Sequence, residues 1–411
     1  MVEENKNIDW NSRVKELFGQ SSSAETPLSS GGSGVRFNGI DLCNPLNAEQ
    51  VGFLLKALAY CRIVCISGQD LSRFSLDNFE RFANHWGAPV PHPNNFMRGG
   101  KPGQSDGDSD GSFQLIPFEK RAVSKANETF PGRLKCLPHE SPAVLVASNF
   151  KGLVKEGDVE KVDKGGSWHT DIEYEPLPIY VSMFLAHKIP TARMHEGFWI
   201  NNSNNGSVDS DPYFEGSDPE LMRLRLQLPL NGETAFADTA AAFSAFTDEK
   251  KQMLAGLQVR RKLNVNDEGW LAPLVRVNPI SGLSSLHSPI WASRPRVRPP
   301  IEIEGMNASD SRDVLDELEK HVLQPQFRYD HEHLEGDVTI WDNYMTLHNS
   351  PPIKHDIKDI EDARLLYRLS CKGNPAVVLP RNDEPEWLKK HIPGEYMSPP
   401  DIINLSSFSI R

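Results

Sequence analysis

Sequence features that would indicate a zinc-binding, secreted, membrane-spanning or nucleic-acid-binding protein are scarce in this 411-residue chain. The five cysteines are scattered, with neither the spacing of a zinc site nor the density of a secreted disulfide framework, so we expect reduced thiols in a cytoplasmic protein. No apolar run approaches membrane-spanning length, and the acidic N-terminus lacks the apolar segment of a secretory signal. A net charge of −12 without a basic block argues against nucleic acid as a partner. A small-molecule ligand is therefore the expected partner, with a homo-oligomer left open.

The most informative motif that is present is His169-Thr170-Asp171. On an extended strand, alternate side chains point to the same face, so His169 and Asp171 are predicted to lie side by side. Two histidines and one carboxylate form the facial iron site of many oxygenases, which leaves three metal positions open. The motif alone is weak, because a chain with 13 histidines is expected to contain about one such pair by chance. A third ligand is needed.

Two downstream segments supply the missing parts. The β-rich segment from Gly336 to His348 delivers a histidine at its far end. The next segment, Arg364 to Ser370, is predicted to be a strand with Arg364 and Arg368 on one face. A buried arginine needs an anionic partner, and its planar fork matches a carboxylate. A dicarboxylate that chelates iron at one end and contacts arginine at the other fits this set.

The order of these motifs is similar to that of a known family. The motifs that carry the similarity are Arg36 to Leu42, Val64 to Leu71, Phe82 to Gly87, His169-x-Asp171, Gly232 to Asp238, Trp341-Asp342-Asn343 with His348, and Arg364 with Arg368. Together they resemble the taurine dioxygenase (TauD/TfdA) family of Fe(II)- and 2-oxoglutarate-dependent oxygenases. The resemblance implies a mainly β fold with flanking helices (α+β), built on a double-stranded β-helix (jelly-roll, cupin-like) core with insertions.

The resemblance implies that His169, Asp171 and His348 bind Fe(II) and form the catalytic centre. In related halogenases a small residue replaces the aspartate and chloride takes its place at the metal. Asp171 therefore indicates an oxygenase, which would use O2 and 2-oxoglutarate as co-substrates.

Carried over residue by residue, the resemblance also implies a binding site for 2-oxoglutarate. Thr234 and Arg364 would hold its distal carboxylate, and Arg368 would lie near its metal-bound end, where it can also touch an anionic substrate. The family's substrate-contacting segment matches Val90 to Asn95, which points to His92 and Asn95. For His92, a capped turn histidine is the alternative.

Four other polar residues are candidates for the site. His287 lies near the family's usual substrate wall, whereas Arg276 fits a surface ion pair as well as the pocket. The histidines of Asp330-His331-Glu332-His333 resemble a metal pair, but no further ligand is nearby in the sequence. We predict that both lie exposed in a polar loop.

The chain is predicted to contain a single dioxygenase domain at 36–375. Residues 1–35 are expected to form a flexible N-terminal extension, because 21–34 is rich in serine and glycine. Residues 376–411 are expected to form a C-terminal extension. The segment 191–230 is predicted to be an insertion, either a lid over the active site or a surface decoration.

The resulting hypothesis is an enzyme that activates a C–H bond of a small, polar, anionic substrate and releases succinate and CO2. Hydroxylation, desaturation and oxidative cyclisation all remain open, and kainoid-type ring closure in specialised biosynthesis is one example. A catabolic hydroxylase of a sulfonate, an aryloxyacid or a purine such as xanthine is the alternative. A non-catalytic metal-binding scaffold or sensor is the alternative from another class.

Overall fold

The computed structural model describes residues 8–87, 89–98, 113–117, 119–120, 124–150, 161–163, 165–174, 178–191, 199–200, 213–215, 218–262, 265–293 and 299–372. The predicted C-terminal extension at 376–411 and most of the first half of the 191–230 insertion lie outside this part. Within it, no helix is both long enough and apolar enough to span a bilayer.

Eight α-helices lie in the described part of the chain. They are α1 (Trp10–Phe18), α2 (Ala48–Cys61), α3 (Leu76–Ala83), α4 (Ser124–Thr129), α5 (Pro219–Leu226), α6 (Thr239–Ser244), α7 (Asp248–Ala255) and α8 (Ala308–Val322). Helix α2 begins at a reciprocal capping box formed by Asn47 and Gln50, which stabilises its first turn. Asn307 caps α8.

Strands make up the rest of the regular structure. In chain order they are β1 (Ser23–Glu25), β2 (Val35–Asn38), β3 (Ile63–Ile66), β4 (Phe96–Arg98), β5 (Phe113–Leu115), β6 (Leu145–Ser148), β7 (Lys161–Asp163), β8 (Val181–Lys188), β9 (Thr234–Asp238), β10 (Gln258–Arg261), β11 (Trp270–Pro273), β12 (Val275–Val277), β13 (Ser284–Leu286), β14 (Glu302–Ile303), β15 (Arg328–His331), β16 (Val338–Asp342), β17 (Thr346–Asn349), β18 (Ile353–His355) and β19 (Leu365–Cys371). The predicted strand after Arg364 is therefore confirmed.

A seven-stranded sheet, in the order β1-β2-β3-β16-β8-β19-β6, forms one side of the domain. The three-stranded sheet β15-β9-β17 contributes Phe236, which packs in one cluster with Ile63 and Trp341 of the larger sheet. The remaining strands form smaller sheets: β10 with β11 and β14, β12 with β13, β7 with β18, and β4 with β5. The space between the two main sheets is thus filled by side chains from both.

The alternation of β19 decides which of its side chains face the site. Leu365, Tyr367 and Leu369 are buried in the main hydrophobic core with residues of α1, α2 and α3. Because successive side chains of a strand point to opposite faces, Arg364 and Arg368 are left on the other face. This is the arrangement that the sequence predicts.

The N-terminal segment differs from the prediction of a flexible extension. Trp10 and Val14 of α1 are buried in the main core. Strand β1 pairs with β2 at the edge of the seven-stranded sheet, and the hydroxyls of Ser29 and Ser33 bond to each other at 2.7 Å. The prediction of a flexible 21–34 segment is therefore wrong. Its serines satisfy one another internally, which composition alone does not reveal.

Candidate active site

Two histidines that lie 179 positions apart in the sequence meet as neighbours across a pair of extended segments. The backbone N–H of His169 donates to the carbonyl of His348 at 3.0 Å, and that of His348 donates back at 2.9 Å. Their imidazole ring centroids lie 4.3 Å apart. A directly opposed, hydrogen-bonded pair of this kind places both side chains on one face. Strand β17, which carries His348, is held in turn by β9.

Asp171 completes a cluster of three ligand atoms. Its Oδ1 lies 3.8 Å from Nε2 of His169 and 3.6 Å from Nε2 of His348. All three residues are buried, and their ligand atoms lie within 4.8 Å of one another. Two imidazole nitrogens and one carboxylate oxygen are the donors that non-haem Fe(II) takes in a facial site. The donor set therefore fits the iron that the sequence implies.

Neighbouring groups orient these ligands. Nδ1 of His169 lies 2.8 Å from the carbonyl oxygen of Ser167, which favours the tautomer that leaves Nε2 free to bind a metal. The hydroxyl of Ser182 donates to Oδ2 of Asp171 at 2.6 Å, and Nη2 of Arg368 lies 2.5 Å from the same oxygen. Asn343 donates to Ser182 at 3.1 Å. Oδ2 is thus engaged by the protein, while Oδ1 faces the histidines.

The electrostatics keep Asp171 ionised. Burial acts to raise its pKa, but the positive charge of Arg368, together with His348 and His169, outweighs burial and holds the pKa well below its usual value. A carboxylate must be deprotonated to bind a metal, so this field favours metal binding across the neutral pH range.

The sequence does not identify Ser182 as a site residue, and it predicts a different partner for Arg368. Ser182 lies in the largely apolar strand β8, and the only sequence signal of its role is a hydroxyl among hydrophobic residues. Arg368 was expected to be available to the co-substrate or to an anionic substrate, whereas here its guanidinium pairs with Asp171. Its predicted contact with 2-oxoglutarate or substrate stays a prediction.

Arg364 has the environment expected of a carboxylate-binding residue. It is buried, and its Nε has no hydrogen-bond partner among the described residues. Burial lowers its pKa to about 10, against the opposing influence of Glu233. A Cβ at Gly232 would lie 3.3 Å from the ring of Trp199 and 3.7 Å from Nε of Arg364. Gly232, with φ +79°, therefore allows the chain to pass close to this guanidinium.

Thr234 is held by a histidine that was expected to be exposed. The Thr234 hydroxyl lies 2.8 Å from Nε2 of His333, and both residues are buried. His331 is also buried, with its ring nitrogens bonded to the hydroxyls of Tyr329 and Thr339, each at 2.9 Å. The prediction of exposed histidines in a polar loop is wrong, because His331 belongs to β15 and pairs with Thr234 of β9.

His331 also belongs to a second cluster of potential ligands. Its ligand atom lies within 4.8 Å of those of Cys65 and Asp337. Asp337 already pairs with Arg36 at 2.8 Å, and burial raises the pKa of the Cys65 thiol far above its usual value. Both ring nitrogens of His331 are already hydrogen-bonded to hydroxyls, and a thiol that stays protonated is a poor metal ligand, so this cluster is a hydrogen-bonded network.

The residues predicted to contact substrate occupy a turn. Nδ1 of His92 accepts from the backbone N–H of Asn94 at 3.2 Å, which is the capped-turn arrangement given as its alternative. Asn95 is buried, and its side-chain amide donates to the carbonyls of Pro142 and Val144 at 2.7 and 3.0 Å. These contacts tie the turn to the neighbouring segment, and substrate roles for His92 and Asn95 stay predictions.

His287 and Arg276 lie together in the interior. Nε of Arg276 donates to Nδ1 of His287 at 3.3 Å, and the guanidinium lies 4.5 Å from the ring centroid of Tyr344. Both residues are buried, so a surface ion pair for Arg276 is wrong.

Comparisons with known proteins agree with this geometry. The family model described as "Taurine catabolism dioxygenase TauD, TfdA family" matches residues 25–369. The chain is 24% identical over 291 residues to (S)-phenoxypropionate/alpha-ketoglutarate-dioxygenase of Sphingobium herbicidovorans, covering 64% of this chain and 84% of that protein. It is 25% identical over 233 residues to pentalenolactone F synthase of Streptomyces arenae, covering 51% and 64% of the two chains.

Among solved structures, a taurine dioxygenase from Burkholderia xenovorans superposes with a TM-score of 0.50 at 21% identity. The alignment covers 85% of this chain and 91% of that one. This likeness concerns the fold, and it confirms the expected jelly-roll core with flanking helices.

Proposed function

Because the chain belongs to the TauD/TfdA family and is an Fe(II)/2-oxoglutarate-dependent dioxygenase, we propose that it oxidises a C–H bond of a small, polar, anionic molecule. The products from the co-substrate are succinate and CO2. The observation that carries this proposal is the convergence of Oδ1 of Asp171 with Nε2 of His169 and His348. The bound metal would supply O2 activation.

The protein's own residues have separable tasks in this proposal. Ser182 and Arg368 fix the carboxylate of Asp171, so that one oxygen stays directed toward the metal position. Arg364, aided by Thr234, would bind the distal carboxylate of 2-oxoglutarate, which would supply an acceptor for a buried Nε that has no partner among the described residues. The three ligands are only 4–7% exposed, so bulk water is largely excluded.

The anionic character of the substrate is supported by a relative whose name gives (S)-phenoxypropionate, an aryloxy acid, as its substrate. A catabolic role of this kind and a role in specialised biosynthesis, as in pentalenolactone F synthase, both accord with the family. Hydroxylation, desaturation and cyclisation differ in product, not in metal ligands. A cytoplasmic location is part of the proposal, because the five cysteines are free.

The direct test is spectroscopic. Fe(II) added with 2-oxoglutarate under anaerobic conditions should give a weak visible charge-transfer band, and admission of O2 with a substrate should release succinate. A screen of small acids for substrate-triggered succinate release then identifies the substrate class, and analysis of the oxidised product distinguishes the three outcomes. Absence of the band, and of succinate with every acid, would favour the non-catalytic scaffold.

A further inference from the structure

Thr234, one of the two residues expected to hold the distal carboxylate of 2-oxoglutarate, already has a partner inside the protein. Its hydroxyl lies 2.8 Å from Nε2 of His333. Thr234 is 3% exposed and His333 is 1% exposed, so this bond is shielded from bulk water. Neither polar group can exchange its partner for solvent without a cost in free energy. The direction of this one hydrogen bond therefore decides what the Thr234 hydroxyl can offer to a ligand.

A threonine hydroxyl has a single hydrogen to donate, whereas an ionised carboxylate can only accept. If Thr234 donated that hydrogen to Nε2 of His333, its oxygen would present only lone pairs to an incoming carboxylate. If Nε2 of His333 carries a hydrogen and donates it, the hydrogen of Thr234 stays available for the ligand. Only the second arrangement allows Thr234 to bind a carboxylate.

The rings around His333 hold its imidazole in place beside Thr234. The ring centroid of Phe184 lies 5.9 Å from that of His333 at an interplanar angle of 81°, and the ring of His331 lies 4.8 Å away at 84°. The pairing of β15 with β9 sets His331 opposite Thr234, and His333 follows two residues later. Because buried side chains are closely packed, the imidazole is kept against the hydroxyl.

Thr234 also follows closely on the point at which the chain approaches Arg364. A Cβ built on Gly232 would lie 3.7 Å from Nε of Arg364, and Thr234 comes two residues after Gly232. Arg364 is buried, and its Nε has no hydrogen-bond partner in the part of the chain that the structure describes. A guanidinium and a donating hydroxyl together are complementary to the two oxygens of a carboxylate.

We propose that Nε2 of His333 donates to Thr234 and thereby reserves the hydroxyl hydrogen of Thr234 for the distal carboxylate of 2-oxoglutarate. His333 is then a positioning residue, because it acts on the ligand through Thr234. It favours a dicarboxylic 2-oxo acid over a monocarboxylic one. This inference rests on the proposed function and adds a residue that determines the specificity for the co-substrate.

Calorimetry on the full-length protein, loaded anaerobically with Fe(II), tests the proposal. The two probes are 2-oxoglutarate and 2-oxopentanoate, which has the same chelating end and a methyl group in place of the distal carboxylate. His333→Leu should weaken 2-oxoglutarate binding by about 3-fold to 10-fold, because the hydroxyl loses its orientation toward a charged acceptor. Binding of 2-oxopentanoate should not change, whereas a merely structural role would weaken both acids.

A double-mutant cycle shows whether His333 acts through Thr234. Thr234→Val should weaken 2-oxoglutarate binding, and addition of His333→Leu to that variant should cause no further loss. Thr339→Val is the matched control. It deletes a buried hydroxyl that lies 2.9 Å from Nε2 of His331, so it removes a similar bond from the neighbouring network and leaves that of Thr234 in place. Its affinity for both acids should equal that of wild type.

Thermal unfolding verifies that each variant is folded. If His333→Leu is unstable, the pair His333→Gln and His333→Asn decides the question. The longer amide of glutamine can place an N–H donor where Nε2 stood, whereas the amide of asparagine is too short to reach Thr234. His333→Gln should therefore retain most of the affinity for 2-oxoglutarate, and His333→Asn should lose it.

The proposal is overturned if folded His333→Leu binds 2-oxoglutarate as tightly as wild type or more tightly, which is the result expected if Thr234 donates to His333. It is also overturned by an equal loss for both acids, by a loss that persists in the Thr234→Val background, or, should His333→Leu not fold, by equal affinities of the Gln and Asn variants. A wild-type protein that does not bind 2-oxoglutarate would overturn the proposed function and this inference together.

Discussion

Arg368 and Asp171 form an ion pair in which Nη2 lies 2.5 Å from Oδ2, while both ligand histidines approach the other oxygen, Oδ1. The guanidinium therefore neutralises the carboxylate without occupying the oxygen that faces the metal position. Together with Ser182, which also bonds Oδ2, it fixes the orientation of a ligand that stands next to a turn containing Ile172 at φ +51°. The geometry of the metal site thus depends on groups outside the three ligands.

Asp171→Ala, His169→Ala and His348→Ala should each abolish 2-oxoglutarate turnover, because a facial site with two ligands holds Fe(II) poorly. Metal content after gel filtration and succinate formation are the measurements. Asp313→Ala, which changes an exposed carboxylate on α8, should leave both unchanged. Full activity in Asp171→Ala would contradict the assignment of the site.

Arg364→Gln should raise the 2-oxoglutarate concentration needed for half-maximal succinate formation by about 10-fold or more, since the charge-assisted pairing with the distal carboxylate is lost. Fe(II) binding measured without co-substrate should stay as in wild type, since Arg364 is not among the metal-binding residues. Arg364→Lys should recover part of the loss. An unaltered 2-oxoglutarate dependence in Arg364→Gln would show that another cation binds the co-substrate.

Ser182→Ala should weaken Fe(II) binding by about 10-fold, because the mutation removes the hydroxyl that orients Asp171 and leaves the ligand set intact. Ser370→Ala is a close control: its hydroxyl contacts that of Ser182 at 3.0 Å but does not contact Asp171. Competition with a chromophoric chelator measures the affinity. Equal Fe(II) affinities for Ser182→Ala and wild type would assign the orientation of Asp171 to Arg368 alone.

Asp342→Asn should change how stability depends on pH. Burial raises the pKa of Asp342 from 3.8 to about 7, although the amides of Tyr344 and Met345, with Asn278 and Arg62, act to lower it. The folded state therefore holds this proton more tightly than the unfolded state, and wild-type stability from this group falls as pH rises from about 4 to 7.

The difference in free energy of unfolding between Asp342→Asn and wild type should accordingly shift in favour of the variant across that pH range, by a few kcal/mol. Urea unfolding at a series of pH values measures it. The exposed Asp313→Asn variant should show no such trend. A difference that is constant with pH would mean that Asp342 is ionised in the folded protein.

Local sequence patterns were sufficient to predict which side chains share a face of a strand and where a helix begins. His169 and Asp171, two apart, and Arg364 and Arg368, four apart, share faces because the side chains of a strand alternate. The helix at Pro219–Leu226 follows from Asp218 at its N-cap and proline at its first position. These features are local, so the sequence contains the information that places them.

The predictions that were wrong concern residues whose surroundings are formed by segments distant in the sequence. His331 and His333 lie among polar residues in sequence, yet pairing of β15 with β9 buries them. The serine-rich 21–34 segment lacks an apolar pattern, yet β1 and its internally bonded hydroxyls place it at the edge of the main sheet. Burial of this kind depends on which surfaces meet, and composition does not contain that information.

By itself the sequence determined the family and its Fe(II)/2-oxoglutarate chemistry, and it predicted which residues bind the metal, because these depend on residue identity and on spacing along strands. Only the tertiary structure decided that Arg368 pairs with Asp171, that Ser182 orients that residue, and that Arg364 is buried with an Nε that has no partner among the described residues. All three depend on how strands pack against one another, which local sequence does not specify. Packing determines that Arg368 is paired with a protein carboxylate and that Arg364 remains for a ligand. Burial and distance set the strength of each electrostatic interaction.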